Sequence, residues 1–336
     1  SDADVADSAA PGAAWTSPDW SRDDAIYEVN VRQYTPEGTF AALLPHLPRL
    51  DSLGVDILWL MPVQPIGVEN RKGGLGSYYS IRDYTAVDSA YGTAADFRAL
   101  VDSAHALGMR VILDWVANHT AFDHAWTTEH PDWYTRRADG TISHPLGQDG
   151  VETDWTDVAE LNYDSADMRR AMLAEMRWWI DSMGVDGFRA DVAWGVPYDF
   201  WASVRAEMRA ARPDVFLLAE AEDPRLHEWF DATYGWTLHH LLNEVARGEA
   251  PTDSIAAWLA RDDSLYPRDA YRMHFTSNHD ENSWQGTEFE RMGANHRPAF
   301  VLAATIARSF PLLYTGQEAS LDRRLRFFEK DTVRWD

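Results

Sequence analysis

Eight short runs of apolar, β-prone residues recur along this 336-residue chain, with helical patterns between most of them. They are Ile26–Val31, Val55–Met61, Arg110–Trp115, Val185–Asp191, Val215–Glu220, Glu228–Thr233, Tyr271–Phe275 and Pro311–Tyr314. The helical patterns include Phe40–Leu53, Ala94–Leu107 before Gly108, Ala166–Met183 before Gly184, Pro197–Ala211 and His296–Ser309. A glycine just past the last helical turn is the usual left-handed stop. Strand alternating with helix eight times predicts parallel βαβ units closing into a (β/α)8 TIM barrel. A doubly wound open sheet is the alternative, but no Gly-rich phosphate turn follows the first strand. One barrel domain commonly occupies this much chain.

The alternation breaks once. About fifty residues rich in Trp, Pro, Asp, His and Gly separate Trp115 from Ser165, and loops of such length in compact folds are usually functional. They leave the C-terminal end of a strand, the face where barrel enzymes keep their chemistry. The chain thus divides into an N-terminal tail (1–24), a first barrel part (25–119), an excursion domain forming one wall of a cleft (120–162), and the rest of the barrel (163–336). The opening Ser-Asp-Ala-Asp, with neither Met nor a cationic-then-apolar leader, predicts an exported product (secreted, periplasmic or surface-anchored) whose leader has been removed.

Thirty basic residues against fifty-four acidic give a net charge of −24, and Lys72 and Lys330 are the only lysines. Such a surface repels nucleic acid and anionic membranes. It fits either a GC-rich genome with a solvated acidic surface or adaptation to high salt. With no cysteine, neither a disulfide framework nor a thiolate site can be built. No apolar run is long enough for a transmembrane helix.

Polar residues closing barrel strands read as catalytic. In Gly187-Phe-Arg-Ala-Asp191 the period of two sends Arg189 and Asp191 inward together. A neighbouring Arg favours the charged carboxylate that a nucleophile requires. The fifth strand ends in Glu220, whose apolar surroundings suit a general acid. The seventh runs into Asn278-His279-Asp280, and the third supplies Asp114 with Asn118-His119 beyond it. Adjacent strand ends lie about 5 Å apart, which matches the roughly 5–5.5 Å carboxylate spacing of retaining glycosidases.

Four segments, Asp114-Trp-Val-Ala-Asn118-His119, Gly187-Phe-Arg-Ala-Asp191, Glu220 and Phe275-Thr-Ser-Asn278-His279-Asp280, resemble the signature regions of the α-amylase family of glycoside hydrolases (family 13). Leu161-Asn162 and Gly316-Gln317-Glu318 fit the same pattern. The resemblance runs from about Ile26 to the C-terminus. It implies a retaining hydrolase of α-1,4-glucans or maltooligosaccharides that needs no cofactor for its chemistry. Asp191 would be the nucleophile and Glu220 the acid/base, while Asp280 would hold the hydroxyls of the distorted sugar. Arg189 would orient Asp191, His119 and His279 would bond the sugar, Tyr79 would stack beneath it, and Asp83 would support the site from behind. Trp194 and Trp284, each just after a catalytic segment, are subsite candidates.

Two departures stand out. Where many α-amylases carry Lys-His, this chain has Trp194-Gly195, leaving Asn118 and Asp157 as candidate ligands of a structural calcium. After the eighth strand, the final barrel helix and the C-terminal β-sandwich are missing. That predicts a truncated product with an exposed apolar strip. Trp115 and Trp178-Trp179 read as core, and His105, His239 and His240 as structural. Transglycosylation or isomerisation uses the same residues, and a non-catalytic sugar-binding module is a further alternative. Metal-dependent amidohydrolysis lacks its His-x-His pair on the first strand.

Overall fold

The computed structural model describes residues 17–21 and 23–335. Eight parallel strands close into a barrel: β1 (Ile26–Val29), β2 (Ile57–Leu60), β3 (Arg110–Val116), β6 (Gly187–Asp191), β7 (Phe216–Ala219), β8 (Ala232–Tyr234), β9 (Tyr271–His274) and β10 (Ser309–Tyr314). They follow one another around the barrel, and β10 pairs with β1 through Ile26↔Leu312. The two remaining strands, β4 (His119–Ala121) and β5 (Val158–Glu160), form an antiparallel ribbon at the base of the excursion. His119 already pairs with Glu160 there, so the excursion begins at His119 and not at Thr120.

Alternation along the strands builds two cores. Ile26, Ile57, Trp59, Ile112, Phe216, Leu218, Met273, Phe310 and Leu312 fill the barrel, as a closed sheet requires. Tyr27, Leu58, Leu113, Phe188 and Leu217 face the helices outside. Gly187 has no alternative, because a Cβ there would lie 1.9 Å from the Phe216 carbonyl oxygen. Thr93 and Asp96 form a reciprocal cap that starts the helix Ala94–Ala106, and Gly184 (φ +76°) stops the run from Ala166.

Several boundaries differ from expectation. Phe40–Leu53 is split by a 3-10 turn at Leu44–His46, where Pro45 falls. The helix from His296 ends at Thr305, and Ser309 already belongs to β10. The sixth strand starts at Ala232 because Pro224–Glu228 forms a 3-10 turn. The tail expected over 1–24 lies mostly outside the described residues. From Ser17 onward it is no tail: Trp20 donates to the Asp214 carbonyl at 3.1 Å and packs on Phe216 at 5.7 Å.

Among the described residues no α-helix follows β10. Pro311 and Leu313 on its outer face are only half-buried, whereas β2 and β7 are buried on both faces. The last residues run instead across the helix Val31–Tyr34, where the Trp335 indole donates to the Tyr34 carbonyl at 2.6 Å. No helix among the described residues is long and apolar enough to cross a membrane.

Candidate active site

The C-terminal ends of the strands converge on Arg189, which is wholly buried in β6. Its Nη1 donates to Asp114 Oδ1 (2.9 Å) and Asp191 Oδ1 (2.8 Å), and its Nε to Tyr234 Oη (3.0 Å). Nη2 lies 2.8 Å from Glu220 Oε1, an ion pair. One positive charge therefore serves three carboxylates, of which Asp114 is wholly buried while Asp191 and Glu220 reach the cleft. Burial, together with the Glu220 charge, pushes Asp191 well above the ordinary carboxylate range against the pull of Arg189. Burial also raises Glu220 and Asp114, again opposed by Arg189.

The backbone sets the pairing. Ala190 and Ala219 are partners in the β6–β7 ladder, and Glu220 N–H donates to the Ala190 carbonyl at 3.0 Å. Asp191 and Glu220 therefore leave adjacent strand ends side by side. Immediately after Asp191, Val192 adopts a left-handed conformation (φ 45°, ψ 44°) and donates its N–H to Glu220 Oε2 at 2.8 Å.

His279 and Asp280 close the opposite side. His279 Nε2 lies 2.8 Å from Tyr79 Oη and 3.1 Å from Asp280 Oδ2, while Nδ1 meets Glu28 Oε1. Tyr79 Oη donates to Asp114 Oδ2 at 3.1 Å, and its ring clusters with those of His279 (5.4 Å) and Phe327 (6.2 Å), which lie 6.3 Å from each other. His119 holds Asn118 Oδ1 at 3.1 Å, and burial lowers its pKa to about 3, so it stays neutral.

These residues open onto a cleft of about 930 Å³ that is also lined by Lys72, Gln148, Trp155, Asp157, Trp194, Glu222, Trp236, His240, Trp284, Phe327 and Phe328. Asp191, Glu220, Asp280, Tyr79, His119, His279, Trp194 and Trp284 are brought together in it, with Arg189 directly beneath. Asp83 is not among them. It is exposed and accepts from Thr85 N (3.0 Å), because the turn sends Tyr84 inward instead. Asn118 and Asp157, the expected calcium ligands, have these protein partners. The Asn118 amide is taken by His119 and the Gly195 carbonyl, and Asp157 pairs with the Lys72 ammonium at 3.5 Å. His240, expected to be structural, lines the cleft.

Glu28, Trp155 and Trp236 escaped the sequence reading. Glu28 carried a usable signal, since it sits two residues after Ile26 on the inward face of β1, by the same alternation that marks Arg189. Trp155 lies in an irregular turn where no periodicity applies, and Trp236 opens the helix Trp236–Arg247 just beyond the strand Ala232–Tyr234.

This rim is accompanied by a match across nearly the whole chain. The family pattern described as alpha amylase, catalytic domain, covers residues 6–333. The chain belongs to the α-amylase family. The structure of an α-amylase from Lactobacillus plantarum superimposes with a TM-score of 0.86 at 36% identity, covering 93% of this chain and 76% of that one. The α-amylase MalA of Haloarcula japonica is 31% identical over 96% of this chain and 47% of its own length. An α-1,4-glucan:maltose-1-phosphate maltosyltransferase of Rhodospirillum rubrum is 33% identical over 76% of this chain and 39% of its own. The chain thus spans less than half the length of either relative.

Proposed function

We propose that this α-amylase-family chain hydrolyses α-1,4-glucosidic bonds of starch-type glucans or maltooligosaccharides by double displacement. The observation that carries this reading is the single guanidinium of Arg189 reaching both Asp191 and Glu220 at adjacent strand ends. Two carboxyls so placed, one ionised to attack and one protonated to donate, are what retaining cleavage uses. Asp191, bonded by Arg189, attacks the anomeric carbon. Glu220 first protonates the leaving oxygen and then takes a proton from water. Asp280 and His279 hold the sugar at the cleavage point, with the neutral His119 beside them.

Transfer to a sugar acceptor would use the same groups, and one relative is named for a maltose-1-phosphate donor. The cleft lining argues for a neutral glucan. Its only Lys or Arg is Lys72, already bonded to the Asp154 carbonyl and paired with Asp157, against the carboxylates of Asp154, Asp157, Asp191, Glu220, Glu222 and Asp280. A phosphate dianion would meet repulsion there.

The test is release of a chromophore from a nitrophenyl maltooligosaccharide, with Glu220→Gln as control and NMR of the first anomer formed. An α-anomer is expected, and an initial β-anomer would refute double displacement. Turnover only with maltose-1-phosphate would move the chain to the transferases.

A further inference from the structure

Glu28 is a wholly buried carboxylate inside the barrel, where an unmatched charge is costly. Its only hydrogen-bonding contact is Oε1 with His279 Nδ1, and Oε2 has no partner among the described residues. On the other side of the imidazole, Nε2 faces Tyr79 Oη and Asp280 Oδ2. The Tyr79 hydroxyl hydrogen is committed to Asp114, so its oxygen accepts from His279. Both ring nitrogens thus face acceptors, and a neutral imidazole could satisfy only one of them.

We propose that Glu28 is a positioning residue for the cleavage site: through Nδ1 it keeps His279 doubly protonated and fixes its ring, so that the Nε2 hydrogen stays on the Tyr79 hydroxyl and the imidazolium charge stays beside Asp280. The contrast with other buried histidines supports this. His119, His227 and His274 have no carboxylate on the ring, and burial takes each to about 3, while His239, with the single carboxylate of Glu281 at 2.9 Å, is still held below the ordinary value. Burial pulls His279 down too, but Asp280 and Glu28 outweigh it and carry it well above the ordinary value. The effect passes on to Asp280, which His279 holds below the usual carboxylate range despite burial. The other ionisable groups around this relay are Arg189, Asp114, Glu220 and the phenols of Tyr79, Tyr234 and Tyr314.

The kinetic arm of the test rests on the hydrolase reading; the spectroscopic arm does not. ¹⁵N NMR of the wild-type ring, assigned by loss of signal in His279→Gln, is expected to show both nitrogens protonated at neutral pH. In Glu28→Gln the isosteric amide can still accept from Nδ1 but brings no charge, so the ring is expected to become neutral there. Because removing Glu28 lowers the His279 pKa, the alkaline limb of kcat/KM against pH moves to lower pH. Activity falls about 10- to 100-fold at neutral pH and recovers towards wild type in acid, with partial rescue in Glu28→Asp. An unprotonated Nδ1 in the wild type overturns the proposal even if no variant folds. So do unchanged ring signals and an unchanged pH profile in Glu28→Gln. A wild type inactive on every α-glucan, with the ring doubly protonated, would sink the hydrolase reading and leave the role of Glu28 standing.

Discussion

The two walls of the cleft are built on different principles. On the barrel rim, Asp114, Arg189, Asp191 and Glu220 project from or directly beyond ladder-bonded strands, and each is held by at least one further charged group. Across the cleft, Gln148, Trp155 and Asp157 sit on turns between β4 and β5, supported by short-range bonds such as Thr156 N to the Asp154 carbonyl. Position on the rim is set to within the tolerance of a β-sheet. Position on the excursion can shift with the loop. The rim is therefore suited to bond-making steps and the excursion to gripping substrate.

The sharpest way to break that division is Glu220→Gln or Asp191→Asn. Either is expected to lower kcat by about 10⁴-fold, with circular dichroism unchanged. The double variant should be hardly worse, because the two act as a unit. Additive losses would show that they do not.

Arg189→Met comes next, read as stability. It leaves three buried carboxyls without their cation, at a cost of about 3–5 kcal/mol in chemical denaturation. The pH dependence has a definite sign. Without Arg189 the folded pKa values of Asp114, Asp191 and Glu220, already raised by burial, rise further above those of the unfolded chain. Protonation then favours the folded state, so the deficit should shrink as the pH is lowered through the folded values and be largest at neutral pH. A deficit independent of pH would mean that packing, not charge, is what Arg189 supplies.

Trp155→Ala probes the excursion. Its ring lies 5.9 Å from that of His119 at the cleft surface, and aromatic contacts contribute about 0.5–1.5 kcal/mol. KM should rise roughly two- to tenfold while kcat holds. A kcat loss comparable to that of Glu220→Gln would erase the contrast between the walls. Lys72→Met is the smallest test. Its partly exposed pair with Asp157 contributes about 0–1 kcal/mol, so melting temperature and KM should move little. A collapse of activity would reveal Lys72 as the clasp that holds the excursion in place.

The same contrast explains what the sequence could tell. The barrel and its rim could be read because a period of two converts position into direction, so Arg189 and Asp191 could be placed inward without coordinates. Glu28 obeys that rule but lies in none of the signature segments, so it was passed over. Asp83 misled for the opposite reason. It sits in an irregular turn, where nothing in Arg82-Asp83-Tyr84 says which side chain goes in, and burial of the larger phenol decided it. Nor could the sequence show that Lys72, distant along the chain, pairs with Asp157.

Val192 carries a consequence of another kind. A β-branched residue in the left-handed region stores about 1–3 kcal/mol of strain, and here that twist turns an amide hydrogen onto Glu220. Glycine would relax the twist and also free the amide to wander. Engineering for heat resistance alone would therefore be drawn to this position and would trade turnover for robustness. Sequence libraries meant to keep catalysis should hold it fixed.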